Sequence, residues 1–298
     1  IKYNQKTPEK FLFKIFDMIR RGRSCFTFCC EENYIRVGTI SKELQYNADR
    51  YAAQLYDEPV VTPPKTAGTR VTHPAFGEGE ILGFAGLVGA GRSEIMRALT
   101  AVDKRIAGDV YLKGEKVTIK NPSDALHKGI GFLTEDRRAD GCALKLDIKT
   151  NINMSSYDTI SKFGIISLKK ETQRAEEYSK NVNVKTPSIA QLVGNLSGGN
   201  QQKVVIAKLL CCNPDVLIFD EPTVGIDVGA KQEIFKLIEA LTRQGKGIIL
   251  ISSYLPEVMG LSDRLIVMAQ GKITAEYNKE ELKTLREADV LRMASIEE

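Results

Sequence analysis

The run Gly86-Leu87-Val88-Gly89-Ala90-Gly91-Arg92-Ser93 lies between a short apolar stretch, Glu80–Ala85, and a helical pattern running from Ser93 to Val102. A glycine-rich turn between a strand and a helix suits phosphate binding. Glycines let backbone amides turn inward and approach phosphate oxygens, and the helix N-terminus adds partial positive charge. Ser93 takes the position whose hydroxyl ligates Mg²⁺ in such loops. Arg92 stands where the pattern calls for lysine. Arginine keeps the charge but presents a wider, planar head, so the lysine slot is not automatically filled. A second chemical feature is Val216-Leu217-Ile218-Phe219-Asp220-Glu221, an apolar strand ending in two carboxylates. At the C-terminal end of a parallel strand these face a ligand crevice. There Asp220 would hold Mg²⁺ through water and Glu221 would polarise an attacking water.

The elements that must position these groups follow from the apolar pattern. Strand-like runs recur at Ile130–Leu133, Val216–Phe219, Ile248–Ile251 and Arg264–Met268, with helical patterns between them such as Gly229–Leu241. Strands alternating with helices predict an α/β fold with a mostly parallel sheet. Lys169–Val182, rich in charge, predicts an exposed helix of a subdomain. Before Glu80 the pattern is less regular. Phe11, Ile15, Met18 and Ile19 fall at helical spacing, which predicts an amphipathic helix packed on a core or lying at a surface. Val60–Pro64 reads as an extended linker.

Composition narrows the classes. The 298 residues carry 42 Lys and Arg against 38 Asp and Glu, a net charge of +4, which is no footprint for nucleic acid. No run is apolar for long enough to cross a bilayer, and no signal-peptide pattern appears. Cys25, Cys29, Cys30, Cys142, Cys211 and Cys212 do not form a disulfide framework. The first three could hold a metal, but His73 and His127 lie far from them in sequence, so reduced thiols are expected. The chain opens at Ile1, as a processed chain or a piece of a longer one would.

Leu196-Ser197-Gly198-Gly199-Asn200 resembles the LSGGQ signature of ABC ATPases, with Asn200 in place of glutamine. It follows the phosphate loop and precedes the carboxylate strand, the order that family keeps. The resemblance runs from about Glu80 to Ser295. LSGGNQQKV, GIDVGAK, ISSYLPEV and the segment 122–137 are similar to the second ATPase half of ribose- and galactose-type importers.

This resemblance implies a P-loop NTPase core of ABC ATPase type with an inserted α-helical subdomain at about 138–195, inside an ATPase domain spanning 76–298. Residues 1–75 would form an N-terminal segment and linker. ATP and Mg²⁺ are the implied ligands, with Gly86, Leu87, Val88, Gly89, Ala90, Gly91, Arg92 and Ser93 on phosphate, and Ser93 and Asp220 on the metal. Glu221 and Ser253 would be catalytic, Ser253 standing where the family usually has histidine. Glu135 stands where it usually has glutamine. Leu196, Ser197, Gly198, Gly199 and Asn200 would serve the ATP of a partner half, and Asp227 would contact that half. Arg92, Glu135 and Ser253 together imply an impaired own site beside an intact signature; tolerated variation in a working site is the alternative.

Implied partners are a second ABC ATPase half, transmembrane permease subunits and, indirectly, a sugar-binding protein, with no nucleic acid. The place implied is the cytoplasmic face of the plasma membrane, peripherally. Two further readings are a regulatory ATP-binding module that scarcely hydrolyses, and a non-transport ABC protein of translation or DNA repair. Tyr34, Tyr46, Tyr51, Tyr56 and Phe76 are all candidates for stacking on adenine.

Overall fold

Continuous runs of Ile, Val, Leu and Phe become strands where both faces are covered, because β-branched and aromatic side chains suit a pleated, desolvated surface. The computed structural model describes residues 12–16, 25–30, 34–40, 75–77, 79–105, 110–112 and 115–295. In chain order the elements are β1 (Leu12–Phe16), β2 (Cys25–Cys30), β3 (Tyr34–Ile40), β4 (Ala75–Gly77), β5 (Ile81–Gly86), α1 (Arg92–Leu99), β6 (Val110–Leu112), β7 (Glu115–Val117), α2 (Pro122–His127) and β8 (Ile130–Leu133). Then come α3 (Ile148–Asn153), a small hairpin of β9 (Ser161–Lys162) and β10 (Ile165–Ile166), α4 (Leu168–Asn181), α5 (Gly198–Leu210), β11 (Val216–Asp220), α6 (Val228–Arg243) and β12 (Gly247–Ile251). The chain ends with α7 (Leu255–Leu261), β13 (Arg264–Ala269), β14 (Lys272–Tyr277), α8 (Lys279–Leu282) and α9 (Glu287–Ala294).

By internal contacts the chain divides into two units, residues 1–119 with 253–298, and residues 120–252. In the first, β5 pairs parallel with β13, and β13 pairs antiparallel with β14. Every residue of β5 is buried, and Leu82, Phe84, Ile266 and Met268 have no measurable exposure. Asp263 closes the β5 entrance: its carboxylate accepts from the Ile81 amide at 3.0 Å while its own amide donates to Ile81 O at 2.8 Å. The strands β1 to β4 form an antiparallel sheet in sequence order. Of the helix expected from Phe11, Ile15, Met18 and Ile19, the described residues Leu12–Phe16 are instead a strand in register with Cys25–Cys29, which corrects that expectation there. Strand propensity in Leu-Phe-Lys-Ile-Phe and a β-rich partner outweigh the helical spacing. The Val60–Pro64 linker lies outside the described residues.

In the second unit β11 is central, parallel to β12 on one side and β8 on the other. The helices α3, α4 and α5 pack on one another, burying Ile148, Ile152, Ala175 and Val204. Each starts with a side-chain cap: Asp147 accepts from the Thr150 amide at 2.7 Å, Ser167 from Lys170 at 3.5 Å and Ser197 from Asn200 at 3.4 Å.

The approach to α3 is held by one buried amide. Asn151 Oδ1 accepts from the Ala143 amide at 2.8 Å, and its Nδ2 donates to the carbonyls of Ala143 at 3.0 Å and Asp147 at 2.9 Å. Leucine at this position would fill the volume but leave those backbone groups without partners. Asn151→Leu is expected to lower unfolding free energy by roughly 2–3 kcal/mol in a urea titration, whereas loss under about 0.5 kcal/mol would show that water replaces the amide.

Candidate functional site

The phosphate loop leaves β5 and enters α1 with its backbone committed. Gly89 and Gly91 adopt left-handed φ of 81° and 95°, a region that costs other residues energy. The Ala90 amide donates to Leu87 O at 3.0 Å, and Ala90 O accepts from Gly271 N at 2.8 Å, so the loop is tied to the β13–β14 turn. Gly91 precedes α1 and, having no side chain, offers it no side-chain cap. Val88 is exposed, Ser93 half-buried and Arg92 buried. Ser253 is exposed on the segment between β12 and α7.

In the second unit the paired carboxylates close β11. Asp220 is 1% exposed and Glu221 8%. Glu221 has φ 47°, unusual for a residue with a side chain, and its amide donates to Ile251 O at 3.0 Å. A strained backbone of this kind costs on the order of 1–3 kcal/mol and persists where surrounding structure holds it. Glu135, by contrast, is exposed after β8.

Arg137–Gly141 then forms one wide helical turn, with the Cys142 amide donating to Arg137 O at 2.9 Å. Asp136 accepts from the amides of Arg138 and Ala139 at 2.9 and 3.0 Å, and those bonds lower its carboxyl pKa. The turn aims Arg137 at the loop after β11. Its Nη1 donates to Val224 O at 2.8 Å and its Nη2 to Gly225 O at 3.1 Å.

The signature sits against the same loop. A Cβ on Gly198 would lie 2.7 Å from Arg137 Nη2 and 2.9 Å from Gly225 O, and one on Gly199 would lie 2.4 Å from Ala230 Cβ. Only glycine allows α5 to begin there. Ser197 is exposed and accepts from Asn200 Nδ2 at 3.0 Å, while Asn200 Oδ1 accepts from the Lys185 amide at 2.8 Å. Asp227 caps α6 by accepting from the Ala230 amide at 2.9 Å. Below the motif, buried Lys203 bonds Asn183 O at 2.7 Å and pairs with Glu233, which also pairs with Lys185 at 2.9 Å. Hydrogen bonds from Lys185 and Lys203 hold the Glu233 carboxyl down to about 2.

The comparisons with known proteins bear on this arrangement. The family model described as ABC transporter matches residues 72–224, about half the chain. The chain belongs to the ABC transporter family. It is 52% identical over 205 residues to a ribose import ATP-binding protein of Caldanaerobacter subterraneus subsp. tengcongensis, covering 68% of this chain and 41% of that protein. It is likewise 52% identical over 204 residues to a xylose import ATP-binding protein of Thermoanaerobacter pseudethanolicus, covering 68% and 40%. The chain thus spans about two fifths of the length of these relatives. Among solved structures, a nucleotide-free ATP-binding cassette matches with TM-score 0.64 at 22% identity over 80% of this chain and 96% of that one. A dimeric post-hydrolysis cassette bound to ADP and Pi matches with TM-score 0.59 at 22% identity, over 74% and 94%. The fold is that of an ABC ATPase cassette, the α/β P-loop class expected.

Within the second unit this ABC cassette brings Leu196–Asn200, Gly225 and Asp227 together. Sequence reasoning missed Arg137 as their tie, and missed the Lys203–Glu233 pair, whose partners lie 30 residues apart. Arg137 stands in the charged run Glu135–Arg138 and the other two on separate helices, so periodicity marks neither contact. Of the adenine candidates, Tyr34 and Phe76 lie on β3 and β4, opposite Gly77 and Ile35, and Tyr46, Tyr51 and Tyr56 lie outside the described residues. Cys142, Cys211 and Cys212 are free thiols, with burial pushing Cys211 up to about 12. The side chains of Cys25, Cys29 and Cys30 fall outside the described residues. Among the described residues no three His, Cys, Asp or Glu side chains cluster as metal ligands.

Two outcomes follow. Gly199→Ala is expected to cost roughly 1–3 kcal/mol through overpacking. Adding Ala230→Gly should recover part of it, so a thermal-melt double-mutant cycle without favourable coupling would refute the contact. Glu233→Gln should lose about 1–3 kcal/mol at neutral pH. Because its carboxyl is depressed in the folded chain, the native pairing stabilises above the ordinary value of 4.5 and is lost as pH falls toward about 2. The gap to wild type in urea midpoints should therefore close over that interval.

Proposed function

We propose that this chain is the nucleotide-binding part of an ATPase that couples ATP binding and hydrolysis to monosaccharide import. Its own phosphate loop binds ATP with weak turnover, and its signature completes a competent site on a partner half. The observation that carries the reading is the contrast between motifs: Ser197–Asn200 is built on an interlocked glycine junction, while Arg92, Glu135 and Ser253 depart from the family pattern. Support for the transport role comes from the relatives, whose names are those of ribose and xylose import proteins.

On this reading Gly86–Ser93 offers backbone amides to the phosphates, and Glu221 orients water. Ser93 and Asp220 supply the oxygen donors that suit Mg²⁺, which when bound would neutralise phosphate charge. The buried Arg92 keeps a cation beside the loop, but with a wider, planar head in place of lysine's compact ammonium. Exposed Ser253 is too short and uncharged to replace an imidazole. The domain assignment of 76–298, with a helical region at 138–195, the interface role of Asp227, the permease partners and the peripheral cytoplasmic placement belong to the same proposal. A regulatory ATP-binding module is the second reading, favoured by the same three departures.

The test is Mg²⁺-ATP turnover by the purified chain beside a nucleotide-binding titration. Binding without turnover that depends on Glu221 is expected. A working own site would instead lose on the order of 10²-fold or more in Glu221→Gln, because a positioned base contributes that much, and that result would overturn the impaired-site reading. Mixed with a complete partner half, the chain should raise turnover, and Ser197→Glu should abolish the gain by setting a carboxylate against phosphate. No gain with any partner half would favour the regulatory module.

A further inference from the structure

The hairpin β9–β10 turns at Phe163 and Gly164, with left-handed φ of 52° and 79°. Two-residue turns of this kind ordinarily take Asn, Asp or Gly at the first position. A bulky residue there is a genuine outlier. Phe163 is nevertheless 94% exposed, with Ile165 at 75% and Leu168 at 70%. These three apolar side chains cluster along one short stretch and contribute little to the core. A grouped apolar surface of this kind marks a contact site rather than random scatter.

The exposed charges beside it are mostly basic. Lys162, Lys169 and Lys170 are exposed, and the Lys162 ammonium lies 5.7 Å from the Phe163 ring centroid. The nearby acid Glu171 is turned inward, buried against Tyr157 Oη at 2.7 Å and Lys149 at 3.1 Å. Asp158, with its side chain 61% exposed, lies 3.4 Å from His127 and is the acid that faces outward beside the tip. What faces outward is an apolar tip with three lysines and one acid beside it, a net positive surface that complements an anionic headgroup layer over hydrocarbon. No helix among the described residues is long and apolar enough to cross a membrane, so contact would be from the side.

We propose that the Lys162–Lys170 hairpin docks on an anionic lipid bilayer, with Phe163, Ile165 and Leu168 entering the headgroup boundary and the three lysines meeting lipid phosphates. This contact stands independently of nucleotide turnover and of any permease.

The chain contains no tryptophan, so Phe163→Trp is a single-site reporter. Added to vesicles of mixed phosphatidylglycerol and phosphatidylcholine, this variant should shift its emission to the blue, and the full chain should float with those vesicles. Phosphatidylcholine vesicles alone should bind far less. Phe163→Ser with Ile165→Ser should weaken flotation by on the order of 10-fold or more. Lys169→Glu with Lys170→Glu should do the same, as should raising salt from about 0.1 M to about 1 M. Circular dichroism checks that each variant keeps its fold. Unshifted emission from the Phe163→Trp variant, equal flotation of the double variants, or self-association of the chain through this tip without vesicles would each overturn the proposal, the last pointing to a protein surface instead.

Discussion

The absence of two methyl groups, at Gly198 and Gly199, is the constraint on which the second unit depends. With a Cβ 2.4 Å from Ala230 and another 2.9 Å from Gly225 O, α5 could not begin where it does. Because α5 begins there, Arg137 reaches the carbonyls of Val224 and Gly225. That same loop carries Asp227, whose carboxylate starts α6. Three motifs far apart in sequence are thereby fixed by volume exclusion and a few hydrogen bonds rather than by a large apolar interface. Such a junction tolerates changes of chemistry at its exposed face better than changes of size at its centre.

Asn200 illustrates the distinction. The resemblance to the family calls for glutamine here, and the shorter amide spans a local gap, accepting from the Lys185 amide while donating to Ser197. Lys185 also joins Lys203 on Glu233. The motif and the electrostatic support beneath it therefore share one residue. Lys203 would be costly to bury alone, and its position on the buried face of α5 makes sense only with Asn183 O and Glu233 in place.

The parallel strands were legible because both faces are buried. Ile130–Leu133 forms over the expected residues, and Val216–Phe219 and Arg264–Met268 each extend by one residue. Helix ends slipped by one to three residues, as at Arg92–Leu99, since the apolar pattern does not mark where a backbone turns. Leu12–Phe16 was misread because five residues fit either period, and pairing with Cys25–Cys30 decides it. The candidate site was legible in its motifs, where residue type and order carry the chemistry. It was not legible at Arg137 or Glu233, whose roles come from carbonyls and charges that only folding brings near.

The phosphate loop of the first unit and Glu221 of the second share a property that bears on the proposed loss of turnover. In both, the unusual feature lies in the backbone: left-handed Gly89 and Gly91 in one, left-handed Glu221 in the other. The departures from the family pattern are all in side chains. Backbone amides that cradle phosphate are indifferent to whether position 92 carries arginine or lysine, so binding would survive the exchange. On the proposed reading turnover depends on charge placed where it develops in the transition state, which Ser253 would not supply and Arg92 would supply with different geometry. On the proposed reading, a site altered in this way would keep its ligand and its shape while giving up rate, which is what a half that lends its signature to a partner could sustain.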